Sequence, residues 1–220
     1  MGKKGTFFIT IGLLLLAAAL LLTVYNVWDS HRAGVAAQET VQSLKTILPS
    51  PKKTMEEPTE ESAIPETAAP TEQTVPTEQT QPLAALPEGE MPTVELNGYD
   101  YIGVLEAASL ELSLPVMDQW DYERLKISPC RFAGNVYEDD LVICGHNYSQ
   151  HFQPLKYAPI GTEITFTDAE GNVFRYAVSS FETVGPNDVE RMISGDWDLT
   201  LFTCNTNGQT RCAIRCDRIE

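Results

Sequence analysis

Basic side chains are scarce in this 220-residue chain. Lys and Arg number 15 against 31 Asp and Glu, which gives a formal net charge of −16. Lys and Arg never occur in runs longer than two. Contacts to phosphates supply most of the affinity that proteins have for nucleic acid, so this composition argues against a nucleic-acid partner. It argues equally against a folded part that lies on anionic lipid.

Long apolar runs are also missing, with one exception near the N-terminus. Residues 6–25 are almost wholly apolar and carry no charge, and about twenty such residues span a bilayer as a helix. A cleaved signal peptide is the alternative, because Ala17–Ala19 resembles a cleavage site, but Leu20–Leu22 continues the apolar run. We therefore expect an uncleaved, single-pass anchor within residues 1–28. Two Lys residues precede the span, which predicts a cytoplasmic N-terminus and an extracellular remainder.

The chain changes character twice after this span. Residues 29–48 show modest helical periodicity and are predicted to form a juxtamembrane stalk. Residues 49–92 are rich in Pro, Thr and Glu with a net charge of −7, and this composition cannot build a core. We expect an extended linker with a reach of at most about 130 Å at polyproline rise. Residues 93–220, with a net charge of −11, are long enough for one catalytic domain.

Residues 93–220 are predicted to be mainly β. Short runs of apolar and β-branched residues alternate with turn signals, a spacing typical of a barrel or a sandwich. Two short helices are expected at residues 122–126 and 187–193. The strand candidates are Tyr101–Leu105, Leu110–Val116, Leu141–Cys144, Glu163–Thr167, Val173–Thr183, Leu199–Thr203 and Arg211–Asp217.

Cysteine is present in an odd number, which leaves at least one of the five thiols unpaired. Cys204 is our candidate for this free thiol, because it ends a predicted strand at a turn. Cys212 and Cys216 lie four residues apart on one strand, about 13 Å between Cα atoms, which excludes a disulfide between them. We expect these two to fill the core. Cys130 is interpreted as structural, and a redox or disulfide role is kept as an alternative for Cys144.

Histidine is rarer still, with three residues in the chain. His31 lies in the predicted stalk, and His151 is expected on a surface loop. His146 follows a glycine at the end of a predicted strand, a position that suits a side chain presented at the rim of a barrel. His146 is therefore the candidate catalytic imidazole.

The last two predicted strands bring a guanidinium to the thiol. Asn207-Gly208 predicts a tight connection between them, so Cys204 and Arg211 should be close neighbours across the hairpin. Arg215, two pairs away, is expected to be a solvated surface charge. A thiol, an imidazole and a guanidinium are the parts of a cysteine acyl-transfer site.

Three separated segments in this order resemble the sortases of Gram-positive bacteria: Gly145-His146-Asn147, Leu199 to Cys204, and Arg211 seven residues later. The resemblance covers about the last 125 residues. It implies a closed, mainly antiparallel barrel of about eight strands. It also implies a transpeptidase that cuts a Leu-Pro-any-Thr-Gly-like sorting signal and joins the new carboxyl end to an amine of peptidoglycan or its lipid-linked precursor. His146, Cys204 and Arg211 would be catalytic, with no metal and no cofactor.

The resemblance leaves the sortase class open. A single N-terminal anchor, with no apolar span near the C-terminus, weighs against the pilin-polymerising group and favours a housekeeping or class B- or D-like role. An acidic group of residues could resemble the calcium site of some class A members, but a solvated acidic edge is the favoured interpretation. Its members are Glu182, Asp188, Glu190, Asp196 and Asp198.

Two other functions are compatible with parts of the pattern. One is a different cysteine enzyme of the wall, such as an L,D-transpeptidase or a papain-like hydrolase. Papain-like enzymes place Cys before His, and L,D-transpeptidases keep Arg almost adjacent to Cys, and this chain does neither. The other is a non-catalytic, tethered peptide-binding module in which Cys204 would be a buried thiol.

Overall fold

The computed structural model describes residues 3–49, 90–205 and 208–219. Nearly all of the predicted linker, and Asn207 of the predicted turn, lie outside these residues. The described residues form three α-helices, α1 (Lys3–Ile47), α2 (Tyr122–Leu125) and α3 (Val189–Ile193). Two 3-10 turns cover Ala108–Leu110 and Pro154–Tyr157. The strands are β1 (Val94–Leu96), β2 (Tyr99–Ala107), β3 (Leu112–Met117), β4 (Cys130–Ala133), β5 (Leu141–Cys144), β6 (Glu163–Asp168), β7 (Val173–Val184), β8 (Leu199–Cys204) and β9 (Arg211–Arg218).

Eight of the strands close into a barrel. Their order around the barrel is β2, β3, β4, β5, β8, β9, β7 and β6, and β6 pairs with β2 to close the ring. The remaining strand, β1, forms a hairpin with β2 outside the ring. Two neighbouring pairs are parallel, β3 with β4 and β5 with β8, and the other pairs are antiparallel. The closed, mainly antiparallel barrel that the resemblance implied is confirmed, and of the two architectures that the strand pattern allowed, the sandwich is excluded.

The predicted strands are found with ends shifted by at most two residues, but two strands were missed. β4 follows Pro129 and is only four residues long, and its pairing with β3 is limited to Met117 and Cys130. β1 has three residues and no fully buried side chain. The equally short β5 was recognised because its four residues form one apolar run, whereas β1 and β4 show neither such a run nor a long enough alternation.

Two apolar clusters stabilise the barrel. The first fills its interior, with Phe166, Tyr176 and Leu201 among its fully buried members. The second lies on the outer face, where Val104 and Met117 pack against α1 residues and where Cys144 and Phe202 reach the functional groove described below. The outer face of the barrel therefore has its own apolar covering rather than a solvated surface.

Helix α1 has two parts of different character. Its first part, from Phe7 to Trp28, exposes large apolar side chains, and this region is apolar and long enough to cross a membrane. Its second part packs against β2 and β3 through a stripe of Ala33, Ala37, Val41 and Leu44, all at most 5% exposed. These residues recur every three or four positions and so share one face of the helix. The residues predicted to form a stalk are thus helical and lie on the barrel.

Candidate active site

Parallel pairing of β5 with β8 brings the imidazole and the thiol together. Cys144 and Phe202 are register partners, and the Gly145 N–H donates to the Phe202 carbonyl at 3.0 Å. Parallel strands end at the same edge of a sheet, so His146 and Cys204, each two residues beyond this pair, emerge side by side. Both side chains line one groove.

Arg211 joins them from the neighbouring strand. Cys204 and Arg211 are the last register pair of the β8–β9 hairpin, as the sequence predicted. The Arg211 guanidinium donates to the Gly208 carbonyl at 3.0 Å, and the Asn205 side chain donates to the Thr210 hydroxyl at 2.7 Å. These bonds hold the end of the hairpin and leave Arg211 half-buried at the groove.

The groove has a volume of about 350 Å³ and a mainly apolar wall. Three aromatic rings form one wall, in which the Phe132 ring centroid lies 5.4 Å from that of Trp120 and 5.1 Å from that of Phe202. Helix α3 contributes the opposite wall through Val189 and the buried Met192. Such a surface suits an extended peptide with an apolar side chain, and the three polar groups lie at one part of it.

Two residues that the sequence analysis did not select hold the loop after β5. The Phe152 ring lies against Gly145 so closely that a Cβ there would come within 2.6 Å of it, which explains the glycine before His146. Lys156 donates to the Asn147 side chain at 3.2 Å and to the Cys204 carbonyl at 3.5 Å. Lys156 therefore connects the histidine loop to the strand of the thiol. The glycine before His146 was the available sequence signal for the Phe152 contact. The Lys156 contacts had no signal in the sequence.

His146 is half-buried and stacked. Its ring lies on Tyr148, with centroids 4.7 Å apart and planes inclined by 20°. Burial lowers the pKa of His146 below its ordinary value of 6.5, while the Asp29 carboxylate acts in the opposite direction and Lys126 adds to the lowering. The neutral imidazole is thus favoured more than in a solvated histidine.

His151 is not on the surface, and the prediction of an exposed loop position was wrong. Its side chain is fully buried beside Tyr148, with ring centroids 5.5 Å apart. Burial lowers its pKa to about 4, and His146 adds to the lowering. The sequence around it is polar, but α1 covers this loop, and a covering element distant in sequence leaves no local signal.

Arg215 is likewise not a solvated charge, contrary to prediction, because its side chain is 2% exposed. It lies on the outer face of β9, where α3 covers it. Its guanidinium donates to the carbonyl groups of Arg191 and Met192 at the end of α3, to the Thr200 hydroxyl and to Glu182. Arg215 therefore fixes a wall of the groove, whereas Arg211 faces into it.

The five cysteines are all free thiols, and they differ in burial. Cys204 is half-exposed, while Cys130, Cys144 and Cys216 are buried. Burial raises the pKa of Cys144 and of Cys216 to about 12. Cys216 and the partly buried Cys212 belong to the interior cluster, as predicted from their alternation along β9.

A β-barrel that presents a half-exposed thiol, an imidazole and a guanidinium in one groove has the features of a cysteine acyl-transfer enzyme. The chain belongs to the sortase family, because the model of the sortase domain matches residues 105–219. Sortases are cysteine transpeptidases, and this chain is therefore one as well. A comparison with curated proteins finds no match.

Solved structures with a similar fold are sortases of several classes. Sortase C1 from Streptococcus agalactiae is 21% identical with a TM-score of 0.50, and the match covers 57% of this chain and 71% of that one. Sortase C from Clostridium perfringens with the C-terminal cell wall sorting motif is 21% identical with a TM-score of 0.49, covering 55% and 71%. Sortase A from Corynebacterium diphtheriae is 21% identical with a TM-score of 0.48, covering 56% and 62%. The likeness concerns the fold.

Proposed function

We propose that this sortase cleaves a Leu-Pro-any-Thr-Gly-like sorting signal through a thioacyl intermediate on Cys204 and transfers the acyl group to a cell-wall amine. The observation that carries the proposal is the meeting of Cys204, His146 and Arg211 in one apolar groove. The acceptor is an amine of peptidoglycan or of its lipid-linked precursor.

Each of the three groups has a role that its chemistry allows. The Cys204 thiolate attacks the carbonyl carbon of the scissile peptide bond, and the amine leaves as the thioester forms. Arg211 donates hydrogen bonds to the substrate and to the developing oxyanion. His146 as imidazolium protonates the leaving amine, and as neutral imidazole it accepts a proton from the incoming amine.

The groove walls supply the binding surface for the signal. The apolar residue of the signal packs among Trp120, Phe132 and Phe202, whose rings line the groove in contact with one another. Helix α3 closes the other side. Binding of the signal on this wall places its scissile bond between Cys204 and Arg211.

The reaction takes place on the outer side of the cell membrane. Residues 1–28 anchor the protein in the cell membrane with the N-terminus in the cytoplasm, and residues 29–48 form the juxtamembrane segment. Residues 49–92 are a linker, and residues 93–220 are the extracellular catalytic domain. The apolar part of α1 supports the anchor. The partners are exported proteins that carry a C-terminal sorting signal.

The proposal is tested with the full chain in detergent micelles, incubated with a panel of Leu-Pro-any-Thr-Gly-like peptides and an amine. Mass spectrometry should show a thioacyl adduct on Cys204 and a ligated product. Cys204→Ala should abolish both. Arg211→Ala should reduce the rate by about 10²- to 10³-fold with the fold intact.

Cys212→Ala is the matched control, because Cys212 is the next cysteine along the hairpin and does not line the groove. It should retain adduct and product. An adduct on a cysteine other than Cys204, or no adduct with any peptide of the panel, would overturn the proposal.

A further inference from the structure

Helix α1 reaches the histidine loop as well as the outer face of the barrel. N-terminal to its buried stripe, the Asp29 carboxylate accepts a hydrogen bond from the Tyr148 hydroxyl at 2.9 Å. The hydroxyl groups of Ser30 and Ser149 are 3.0 Å apart. Gly34 packs directly against the Gln150 side chain, where a Cβ would come within 2.6 Å. Fewer than two turns of helix thus contact three consecutive residues of the loop that carries His146.

The docking of this turn is supported along the rest of the helix. Lys45 forms an ion pair with Glu106 of β2 at 2.6 Å. Val41 and Leu44 are buried in this contact, and burial of large apolar side chains favours docking. The position of Asp29 is consequently determined by the barrel and not by the loop alone.

Tyr148 lies between this helix and the imidazole. Its hydroxyl is bonded to Asp29, and its ring covers one face of His146. The buried His151 also lies beside Tyr148, with ring centroids 5.5 Å apart, and its pKa of about 4 makes it neutral near pH 7. The hydrogen bond to Asp29 holds the far end of the Tyr148 side chain, and so keeps its ring beside His146.

We propose that Asp29 and Tyr148 are positioning residues for His146, so that the segment joining the membrane anchor to the catalytic domain completes the active site. Asp29 holds Tyr148 through the hydroxyl, and Tyr148 holds the imidazole in the orientation in which it faces the groove. The inference rests on the proposed function of His146. Undocking of α1 releases the imidazole without unfolding the barrel.

The charges around His146 determine in which direction its pKa should move when Asp29 is replaced. Asp29 on α1 raises its pKa, Lys126 after α2 lowers it, and the buried His151 is neutral. Cys204 and Arg211 share its groove. Loss of the Asp29 charge should therefore lower the His146 pKa further.

Two variants test the inference in the full chain in detergent micelles. Asp29→Asn removes the charge, and Tyr148→Phe removes the hydroxyl but retains the stacked ring. In each we expect kcat to fall about tenfold, a part of the roughly 10²- to 10⁴-fold that general acid–base catalysis supplies, with KM nearly unchanged. The double variant should be no slower than the slower single variant, because both act through one contact.

A second readout does not depend on turnover. NMR titration of ring-labelled histidine in the Cys204→Ala background should show a lower His146 midpoint in Asp29→Asn than in the parent. If no variant or parent protein forms product, the proposed function fails, and the titration still decides the positioning role.

Ser30→Ala is the matched control, because it removes a neighbouring contact between helix and loop without touching Tyr148. It should retain the parent kcat and the parent His146 midpoint. Unchanged kcat together with an unchanged His146 midpoint in both Asp29→Asn and Tyr148→Phe would overturn the inference. A fall of kcat in Ser30→Ala equal to that in Tyr148→Phe would also overturn it, since general loosening of the loop would then be the cause.

Discussion

At the scale of single residues, burial should make the five thiols differ in reactivity. Cys204 is half-exposed at the groove, whereas Cys144, only two residues before His146, is buried with its pKa raised to about 12. The thiolate is the nucleophile in alkylation as in catalysis. Nearness to the imidazole in sequence therefore does not make Cys144 reactive, because burial keeps it protonated.

We expect iodoacetamide at neutral pH to modify Cys204 in the folded full chain and to modify the buried cysteines only after unfolding. Peptide mass spectrometry at increasing reaction times measures this order. Cys216, whose pKa burial also raises to about 12, serves as the internal reference. Modification of Cys144 or Cys216 as fast as that of Cys204 would contradict the assignment of the free thiol.

At the scale of elements, α3 is held by one buried cation. Helix α3 has five residues, too few to be stable alone. Arg215 binds the last carbonyl groups of this helix and pairs with Glu182 at 2.7 Å. Glu182 also pairs with Arg191 of the helix. The wall of the groove therefore depends on a charge network beneath it.

This network predicts a dependence of stability on pH. The hydrogen bond from Arg215 is the main cause that holds the pKa of Glu182 below its ordinary value of 4.5. A carboxyl with a lower pKa in the folded state stabilises that state above the unfolded pKa, and the contribution is lost as the pH falls through the folded pKa. We expect Glu182→Gln to be less stable than the parent near neutral pH, with the difference vanishing as the pH falls below 4.5.

Urea unfolding of both proteins over this pH range provides the measurement. Glu163→Gln is a control, because Glu163 forms a more exposed ion pair with Arg175 on the surface, and such pairs contribute about 0–1 kcal/mol. A stability difference for Glu182→Gln that is independent of pH would show that the carboxylate charge is not its source.

The β6–β7 hairpin depends on a single buried carboxylate. Asp168 is fully buried and accepts hydrogen bonds from the Tyr137 hydroxyl, the Glu170 N–H and the Asn172 N–H and side-chain amide. We expect Asp168→Ala to lower the free energy of unfolding by about 3 kcal/mol or more, because it leaves several buried donors unpaired. Chemical denaturation checks this value.

Glu170→Ala is the matched substitution in the same turn, because Glu170 contributes its backbone N–H and not its side chain to this network. It should change the stability by no more than about 0.5 kcal/mol. Equal effects of the two substitutions would mean that the turn itself, and not the carboxylate, determines the stability of the hairpin.

At the scale of the whole molecule, the single helix α1 runs from the apolar N-terminal segment onto the surface of the barrel. About 16 residues separate Trp28 from the buried Leu44, which corresponds to roughly 24 Å of helix. With the proposed anchor in a membrane, the docked barrel is held at a distance much shorter than the reach of about 130 Å predicted for residues 49–92. The extended linker stays a prediction, because it lies almost wholly outside the described residues.

The ion pair between Lys45 and Glu106 offers a direct test of this arrangement. The two groups are 2.6 Å apart and both are partly exposed, so a carbodiimide should join them by an amide bond in the full chain. Mass spectrometry of the digest detects the joined peptides. Lys45→Arg should abolish this product. Absence of the product in the parent, while Lys126 and Glu123 at 2.7 Å are joined under the same conditions, would contradict docking of α1.

Local pattern was sufficient for most of the strands and for selecting the three candidate residues that line the groove. The Asn207-Gly208 turn signal predicted that β8 and β9 form a hairpin, and with it that Arg211 lies opposite Cys204, as the register shows. The predictions for His151 and Arg215 were wrong for one shared reason. In both cases a helix from elsewhere in the chain, α1 or α3, buries a polar side chain, and burial by a distant element leaves no mark in the local sequence.

The sequence by itself determined the apolar N-terminal segment, the β-rich domain and the residue types available for acyl transfer, because these follow from hydrophobic runs, alternation and the identity of a few side chains. Only the tertiary structure decided which elements meet. Parallel pairing of β5 with β8 set His146 beside Cys204, α3 buried Arg215 beneath the groove, and docking of α1 brought Asp29 to Tyr148. These contacts join residues separated by 20 to more than 100 positions, and contacts at such separations are fixed by packing of complementary surfaces and not by local periodicity.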